Sequence, residues 1–154
     1  MNDVLTNLYE MHHRAKKRQG FAIWEKERGR IFKRWIGRDK SVLDLGCRDG
    51  TLTRYFAKGN RVIGVDIDKG LLAKARKTLG IETKQMDIYS KWNFPIQFDV
   101  IVAGEVLEHL YHPEKIMERC ADWLNPSGAL IVSVPNAYII SARTRFLFGK
   151  EIPA

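Results

Sequence analysis

The sequence predicts an α/β fold, a three-layer sandwich in which helices cover both faces of a mainly parallel sheet. After residue 40, short apolar runs of strand length alternate with amphipathic stretches of helix length, and this alternation is typical of βαβ units. The first apolar run ends in an acidic, glycine-containing loop that leads into a helix, as at the carboxyl edge of parallel sheets. The chain has 154 residues, 45% of them hydrophobic, so we expect a single domain over 1–154.

The first part of the domain, 1–38, is predicted to be helical. Apolar side chains recur at helical spacing over 3–18 and again over 21–36. Gly20 and Gly37 are expected to end the two helices. The spacing is carried by Leu5, Leu8, Tyr9 and His12 in the first stretch and by Phe21, Trp24, Ile31 and Trp35 in the second.

The middle part, 39–136, contains the predicted sheet and the helices between its strands. Pro113 is expected at the first turn of a helix, where a missing amide hydrogen is tolerated. The predicted strands are 41–45, 61–65, 82–86, 98–103 and 129–134, and the predicted helices are 51–58, 70–79 and 113–124. The remaining tail, 137–154, has an apolar and basic helical pattern.

Composition restricts the location and the partners of the chain. No apolar run approaches the roughly 20 residues that cross a bilayer, and the N-terminus has no signal-peptide core, so we expect a cytoplasmic protein without stable membrane insertion. Cys47 and Cys120 lack the spacing of metal sites and are expected to be reduced thiols. The net charge of +8 favours an anionic partner such as RNA, a membrane surface or an acidic metabolite, although a solvated basic helix face explains it as well.

Asp44, Gly46 and Gly50 form a strand-to-helix loop suited to a nucleotide-like ligand. A dinucleotide site has a G-x-G-x-x-G pattern and points a helix N-terminus at a pyrophosphate. Here the spacing is G-x-x-x-G, and Arg48 stands where the middle glycine would be. Asp44 would place a carboxylate beside a pyrophosphate, so a phosphate-free ligand with an ammonium and a sulfonium group fits better.

Further acids follow the next two strands. Asp66 ends the second strand about 20 residues after the first glycine, which is the spacing of a ribose-binding carboxylate. Asp68 is expected to cap the following helix. Asp87, after the third strand, is positioned to accept a hydrogen bond from an adenine amino group, with the ring between Ile67 and Ile88.

Together these segments resemble the class I S-adenosylmethionine-dependent methyltransferase family over about residues 40 to 136. The resemblance implies a Rossmann-like sheet with strand order 3-2-1-4-5. The motifs that carry it are V-L-D-L-G-C-R-D-G at 42–50, V-I-G-V-D-I-D at 62–68, Q-M-D-I at 85–88, F-D-V-I-V-A-G-E-V-L-E-H-L at 98–110 and L-N-P-S-G-A-L-I-V-S-V-P-N at 124–136.

The resemblance also assigns residues to the cofactor, S-adenosyl-L-methionine. Asp66 would hold the ribose, and Asp87 with Ile88 the adenine. Arg48 departs from the glycine that is usual in the family, and it either points into solvent or reaches into the pocket. The residues that would line the loop and hold the methionine end are Asp44, Gly46, Cys47, Gly50 and the backbone of Ala103 and Gly104.

Glu105, Glu108 and His109 are spaced i, i+3 and i+4, so we expect them on one helical face where the methyl group would sit. Three such ligands could hold a divalent metal, as in the ubiquinone-pathway O-methyltransferases and small-RNA 2′-O-methyltransferases that the sequence resembles; alternatively, the glutamates only order the loop. Glu105 and His109 are the predicted catalytic residues, and His112 is a further candidate base. The expected acceptor atom is a hydroxyl oxygen.

The fifth predicted strand raises the question of what covers it. Members of this family usually continue into an antiparallel hairpin, which we do not expect here. The apolar strand would then be an exposed edge, and natural proteins seldom leave such an edge uncovered, so we expect the tail, a second copy in a homodimer or a partner subunit to cover it. Two functions stay open: a methyltransferase acting on a small molecule or RNA, and a cofactor-binding module that acts as a partner or regulatory subunit.

Overall fold

A computed structural model describes residues 20, 22, 24–136 and 147–148. The helix predicted over 3–18 and most of the tail predicted over 137–154 lie outside the described residues. The helices are α1 (Glu25–Ile36), α2 (Arg54–Ala57), α3 (Lys69–Leu79) and α4 (Pro113–Trp123), with a 3₁₀ helix at Leu107–His109. The strands are β1 (Ser41–Leu45), β2 (Arg61–Asp66), β3 (Glu82–Gln85), β4 (Phe98–Gly104) and β5 (Leu124–Ser133).

The five strands form one parallel sheet in the order β3-β2-β1-β4-β5, which confirms the predicted topology. β1 lies in the centre, where Leu45 is paired with Val65 of β2 and Ala103 of β4. Because the strands are parallel, the carboxyl ends of β1, β2 and β4 meet at the same edge of the sheet. This edge brings together the segments that carry the predicted cofactor site.

The two faces of the sheet are covered by different helices, so the predicted three-layer arrangement is observed. On one face, α1, α2 and α3 bury the cluster of Phe32, Ile36, Val42, Phe56, Val62, Ala75, Ile81, Val100, Val102 and Ile131. On the other face, α4 buries Leu43, Leu45, Ile63, Val65, Phe98, Ile101, Ala103, Ile116 and Cys120. Beside α4, the rings of Trp92 and Trp123 are stacked with centroids 5.1 Å apart.

Helix α1 turns a different face to the core than its large apolar residues indicate. Phe32, Ile36 and Gly29 are buried, whereas Trp24 and Trp35 are exposed by 66% and 64%. Gly29 decides this orientation, because a Cβ there would lie 2.4 Å from the ring of Tyr55. The close approach of α1 to α2 therefore depends on a residue without a side chain.

Helix α2 is much shorter than the predicted helix over 51–58. Thr51 donates its hydroxyl to Asp49 Oδ1 at 2.7 Å, and Thr53 donates its hydroxyl to Asp44 Oδ2 at 2.6 Å. These side-chain bonds hold 51–53 in turns before the helix begins. Short polar side chains that bond locally compete with the start of a helix in this way.

β5 starts earlier than predicted, at Leu124 rather than Ala129. Leu124 pairs with Phe98, and the register between the strands then shifts between Phe98 and Val100. β5 is an outer strand of the sheet in the described residues, and Val132 on it and Val134 just after it are exposed. The predicted cover of this edge stays a prediction.

Within the described residues, no helix has both the length and the apolar character needed to cross a membrane.

Candidate cofactor and active site

The loop after β1 is tied to the neighbouring strand by its own backbone. The amides of Gly46 and Cys47 both donate to the carbonyl oxygen of Val65, at 2.8 and 3.1 Å. Gly46 has a φ of +69°, which favours glycine, and a Cβ there would lie 2.6 Å from Val106 Cγ2. The predicted first glycine is therefore required both by its backbone conformation and by the segment that follows β4.

Asp44 lies buried at the base of this loop. Its Oδ2 accepts a hydrogen bond from the Thr53 hydroxyl at 2.6 Å. Burial raises the pKa of Asp44 to about 7, against the lowering effect of the Thr53 hydrogen bond, and the charge of Asp66 raises it further. A cation placed at this edge would favour the ionised form of both carboxyl groups.

The other loop residues are held by packing. Gly50, at a φ of +80°, would place a Cβ 2.5 Å from Leu79 Cδ1, so it allows the loop to contact α3. The Cys47 side chain is buried against Gly64, where a Cβ would lie 2.6 Å from its Sγ, and burial raises the pKa of the Cys47 thiol. The buried Cys47 thiol is not placed to react, and the predicted contacts of Gly50 and Cys47 with a cofactor stay predictions.

Asp66 stands at the carboxyl end of β2, beside the loop. Its Oδ2 accepts from the Arg48 amide at 3.0 Å and its Oδ1 from the Asp68 amide at 2.9 Å. Each carboxylate oxygen has a second lone pair that can accept from a hydroxyl group. Burial raises the pKa of Asp66, which these two amides partly offset. Asp68 Oδ1 accepts from Leu71 N–H at 3.0 Å, so Asp68 caps α3 as predicted.

The segments predicted to hold an adenine ring are fixed at the same edge. Ile67 is anchored through its carbonyl oxygen, which accepts from Gln85 Nε2 at 3.0 Å. Asp87 Oδ1 accepts from the Tyr89 amide at 2.8 Å. Arg119 of α4 donates to the carbonyl oxygen of Ile88 at 3.2 Å.

The E-x-x-E-H segment does not form the predicted helical face. Glu105 has a φ of +61°, and its amide donates to the carbonyl oxygen of Ser133 at 2.8 Å. Its amide is thus used by β5, and only a 3₁₀ helix at Leu107–His109 follows. Glu105 is partly buried, whereas Glu108 and His109 are exposed.

The α-helical face that was expected to bring Glu105, Glu108 and His109 together at i, i+3 and i+4 is therefore not formed. Among the residues that the structure describes, no group of three His, Cys, Asp or Glu side chains is arranged to hold a metal ion. The residues present do not fit a divalent metal, and we assign no chemical step to one. The predicted catalytic roles of Glu105 and His109 do not depend on a metal and stay predictions.

Arg28 of α1 reaches the same edge of the sheet, and the sequence analysis missed it. Its Nη2 donates to the Ser133 hydroxyl at 2.9 Å, and its Nη1 lies 3.4 Å from Glu105 Oε1. Burial lowers the pKa of Arg28, while Glu105 acts in the opposite direction. Nη2 also lies 3.4 Å from the Cβ position of Gly104. Arg28 lies one helical turn before the buried Phe32, and this spacing in the sequence indicates that both residues are on the same face of α1.

Comparisons with known proteins agree with this architecture. The model of a family described as "Methyltransferase domain" matches residues 14–149, which is most of the chain. A ubiquinone biosynthesis O-methyltransferase of Azoarcus sp. (strain BH72) is 36% identical over 104 residues, covering 63% of this chain and 45% of that protein. One of Pseudomonas putida (strain W619) is 33% identical over 113 residues, covering 66% and 49%. The chain thus spans about half the length of these curated relatives.

Solved structures show the same fold. Coclaurine N-methyltransferase bound to N-methylheliamine and SAH matches with a TM-score of 0.63 and 26% identity, covering 70% of this chain and 35% of that one. A TehB-like SAM-dependent methyltransferase from Corynebacterium glutamicum matches with a TM-score of 0.63 and 24% identity, covering 85% and 73%. With the family match over most of its length, the chain belongs to the class I S-adenosylmethionine-dependent methyltransferase family.

Proposed function

We propose that this protein binds S-adenosyl-L-methionine at the carboxyl edge of its sheet and transfers the methyl group to a hydroxyl oxygen of an acceptor. The observation that carries the proposal is the pairing of Asp66 with the Gly46 loop, where an acid fixed by two amides faces a turn that only glycine fits. The name of the curated relatives supports oxygen as the acceptor atom.

The hydrogen bonds of the loop argue against a dinucleotide at this edge. The amides of Gly46 and Cys47 donate to Val65, the amide of Arg48 donates to Asp66, and the amide of Gly50 donates to Cys47. These amides are therefore not directed at a pyrophosphate, which needs donors of this kind. A ligand that carries positive charge instead is attracted by the carboxylates at the same edge.

The residues present fit S-adenosyl-L-methionine. Asp66 can accept from ribose hydroxyls, and the Asp87 segment lies at the end of the next strand for the adenine. The guanidinium of Arg28, beside Gly104, supplies the positive charge that a methionine carboxylate requires. When bound, this cofactor supplies a methyl group on a positively charged sulfur atom, which is a good leaving group.

The chain then accelerates the reaction mainly by aligning the acceptor with the cofactor. Holding the acceptor oxygen in line with the methyl group removes much of the entropic part of the barrier. Glu105 is the better placed of the two predicted catalytic residues, because it is partly buried at the end of β4. Burial raises the pKa of Glu105, and Arg28 opposes that rise. We propose Glu105 as the group that accepts the proton of an acceptor hydroxyl. Nothing in the comparisons favours the alternative of a regulatory cofactor-binding subunit.

Calorimetric titration with S-adenosyl-L-methionine tests the proposal. The wild type should bind, and Asp66→Asn should weaken binding by about tenfold or more, because a charge-assisted hydrogen bond contributes roughly 1.5 to 3 kcal/mol. Asp122→Asn, an exposed acid on α4, is the matched control and should bind as the wild type does. Circular dichroism confirms that each variant is folded. No binding by the wild type at millimolar cofactor would refute the proposal.

A second experiment tests the reaction itself. The protein is incubated with S-adenosyl-L-methionine and a panel of phenols and catechols, and the products are analysed by mass spectrometry. We expect S-adenosylhomocysteine to form together with an O-methylated product. Methylation found only at nitrogen or carbon would contradict the assignment of the acceptor atom while leaving cofactor binding intact.

A further inference from the structure

A cavity lies away from the cofactor edge. It has a volume of about 390 Å³ and opens between the C-terminal half of α1 and α2. Arg38, which precedes β1, and Lys58, which precedes β2, contribute to its lining. The cavity is therefore at the amino edge of the sheet, whereas Gly46 and Asp66 are at the carboxyl edge. We call it the basic pocket, after its five cationic lining residues Arg30, Lys33, Arg34, Arg38 and Lys58.

The positive charge of the basic pocket is not balanced by the described part of the chain. Its lining includes no acidic residue. None of the five cations forms an ion pair with a residue in the described ranges. Of the two acids on α1, Glu25 pairs with Arg54 and accepts from the Tyr55 hydroxyl at 2.6 Å, and Glu27 does not line the cavity. Five like charges around one cavity repel each other, and an anion inside it would relieve that repulsion.

Capping of helix ends does not account for these cations. Lys33 and Arg34 lie in the last turn of α1, where cations interact favourably with the helix dipole. However, Asn60 Nδ2 already donates to the carbonyl oxygens of Gly37 at 3.0 Å and Phe56 at 2.8 Å. One asparagine thus satisfies a carbonyl group next to the end of each of these two helices. The dipole gives no reason for Arg30, which lies in the middle of α1.

We propose that the basic pocket binds a small phosphorylated anion, such as a diphosphate ester. Three of its five cations are arginines, whose planar guanidinium groups match phosphate oxygens in pairs. A volume of about 390 Å³ suits a small molecule, since such sites measure roughly 300 to 1,000 Å³. Tyr55, which is partly exposed, adds one aromatic ring to the lining, and this fits an ester with a flat or apolar organic part. The site is independent of the proposed methyl transfer.

Titration calorimetry with inorganic diphosphate at 150 mM salt tests this assignment. The wild type should bind one diphosphate, and Lys33→Gln/Arg34→Gln should weaken binding by at least tenfold. The matched control is Arg76→Gln/Lys77→Gln, which removes one arginine and one lysine from the last turn of α3 and the same net charge. This control should bind diphosphate as tightly as the wild type.

A second pocket variant, Arg38→Gln/Lys58→Gln, keeps the test decisive if the first variant is unstable. Both residues are exposed, so we expect a folded protein with the same loss of affinity. The affinity for S-adenosyl-L-methionine should be unchanged in both variants, which separates this site from the cofactor edge. Equal weakening in the α3 control would overturn the proposal. So would no binding of diphosphate together with pocket-dependent binding of a 12-nucleotide RNA or of phosphatidylglycerol vesicles.

Discussion

Gly46→Ala provides the sharpest test of the loop geometry. The new Cβ would lie 2.6 Å from Val106 Cγ2, whereas carbon atoms in contact are roughly 3.5 to 4.0 Å apart, so the loop and the segment after β4 must separate by about 1 Å. Such overpacking costs roughly 1 to 3 kcal/mol. The φ of +69° adds about 1 to 2 kcal/mol for any residue with a Cβ. We expect a total loss of unfolding free energy of about 2 to 5 kcal/mol.

Gly80→Ala is the control that isolates the backbone contribution. Gly80 has a φ of +67°, and a Cβ there would meet nothing within 4 Å. Its substitution should therefore cost only the conformational part, about 1 to 2 kcal/mol. The double variant Gly46→Ala/Val106→Ala removes the clashing methyl group, and the mutant cycle should give a coupling of about 1 to 3 kcal/mol. Urea unfolding measures the stabilities of the wild type, Gly46→Ala, Val106→Ala, the double variant and Gly80→Ala. Equal losses for Gly46→Ala and Gly80→Ala, with no coupling to Val106, would refute the reasoning.

The buried Asp44 and Arg28 give the remaining predictions. Because the pKa of Asp44 is raised to about 7 in the folded state, the folded form binds this proton more tightly, and stability should fall as the pH rises from about 4 to about 7. Asp44→Asn should reduce that slope in urea unfolding measured at each pH, and an unchanged slope would contradict the assignment. Arg28→Ala should weaken S-adenosyl-L-methionine binding by about tenfold or more in calorimetry. Lys26→Ala, exposed on the same helix, should have no effect; equal affinities in the two variants would exclude Arg28 from the site.

The sequence predicted the sheet and its strand-end acids well. Four of the predicted strands, 41–45, 61–65, 82–86 and 98–103, agree with the observed bounds to within one residue. Apolar runs and the turn residues that separate them are local properties of a chain, so they can be identified without knowing the fold. Once the order of parallel strands is known, residues that follow successive strands must lie at one edge. This is why Asp66 and the Gly46 loop are found together.

The errors share a cause, which is contact between distant parts of the chain. Trp24 and Trp35 belong to the helical apolar spacing of the sequence, but both side chains are exposed. Gly29 faces the core instead, because Tyr55 packs against it. Glu105 fits a helical pattern with Glu108, but its amide is bonded to β5. Neither partner is recognisable from the local pattern, since each becomes a neighbour only when the sheet and its helices assemble.

The sequence by itself therefore determined the α/β class, the strand order implied by the family resemblance, and the acids and glycines at the strand ends. Tertiary structure decided which face of α1 is buried, brought Arg28 to Glu105, and enclosed the basic pocket between α1 and α2. The division follows from the range of the interactions involved. Secondary structure and spacing depend on neighbouring residues, whereas burial, charge pairing and cavities depend on elements that are far apart in the chain.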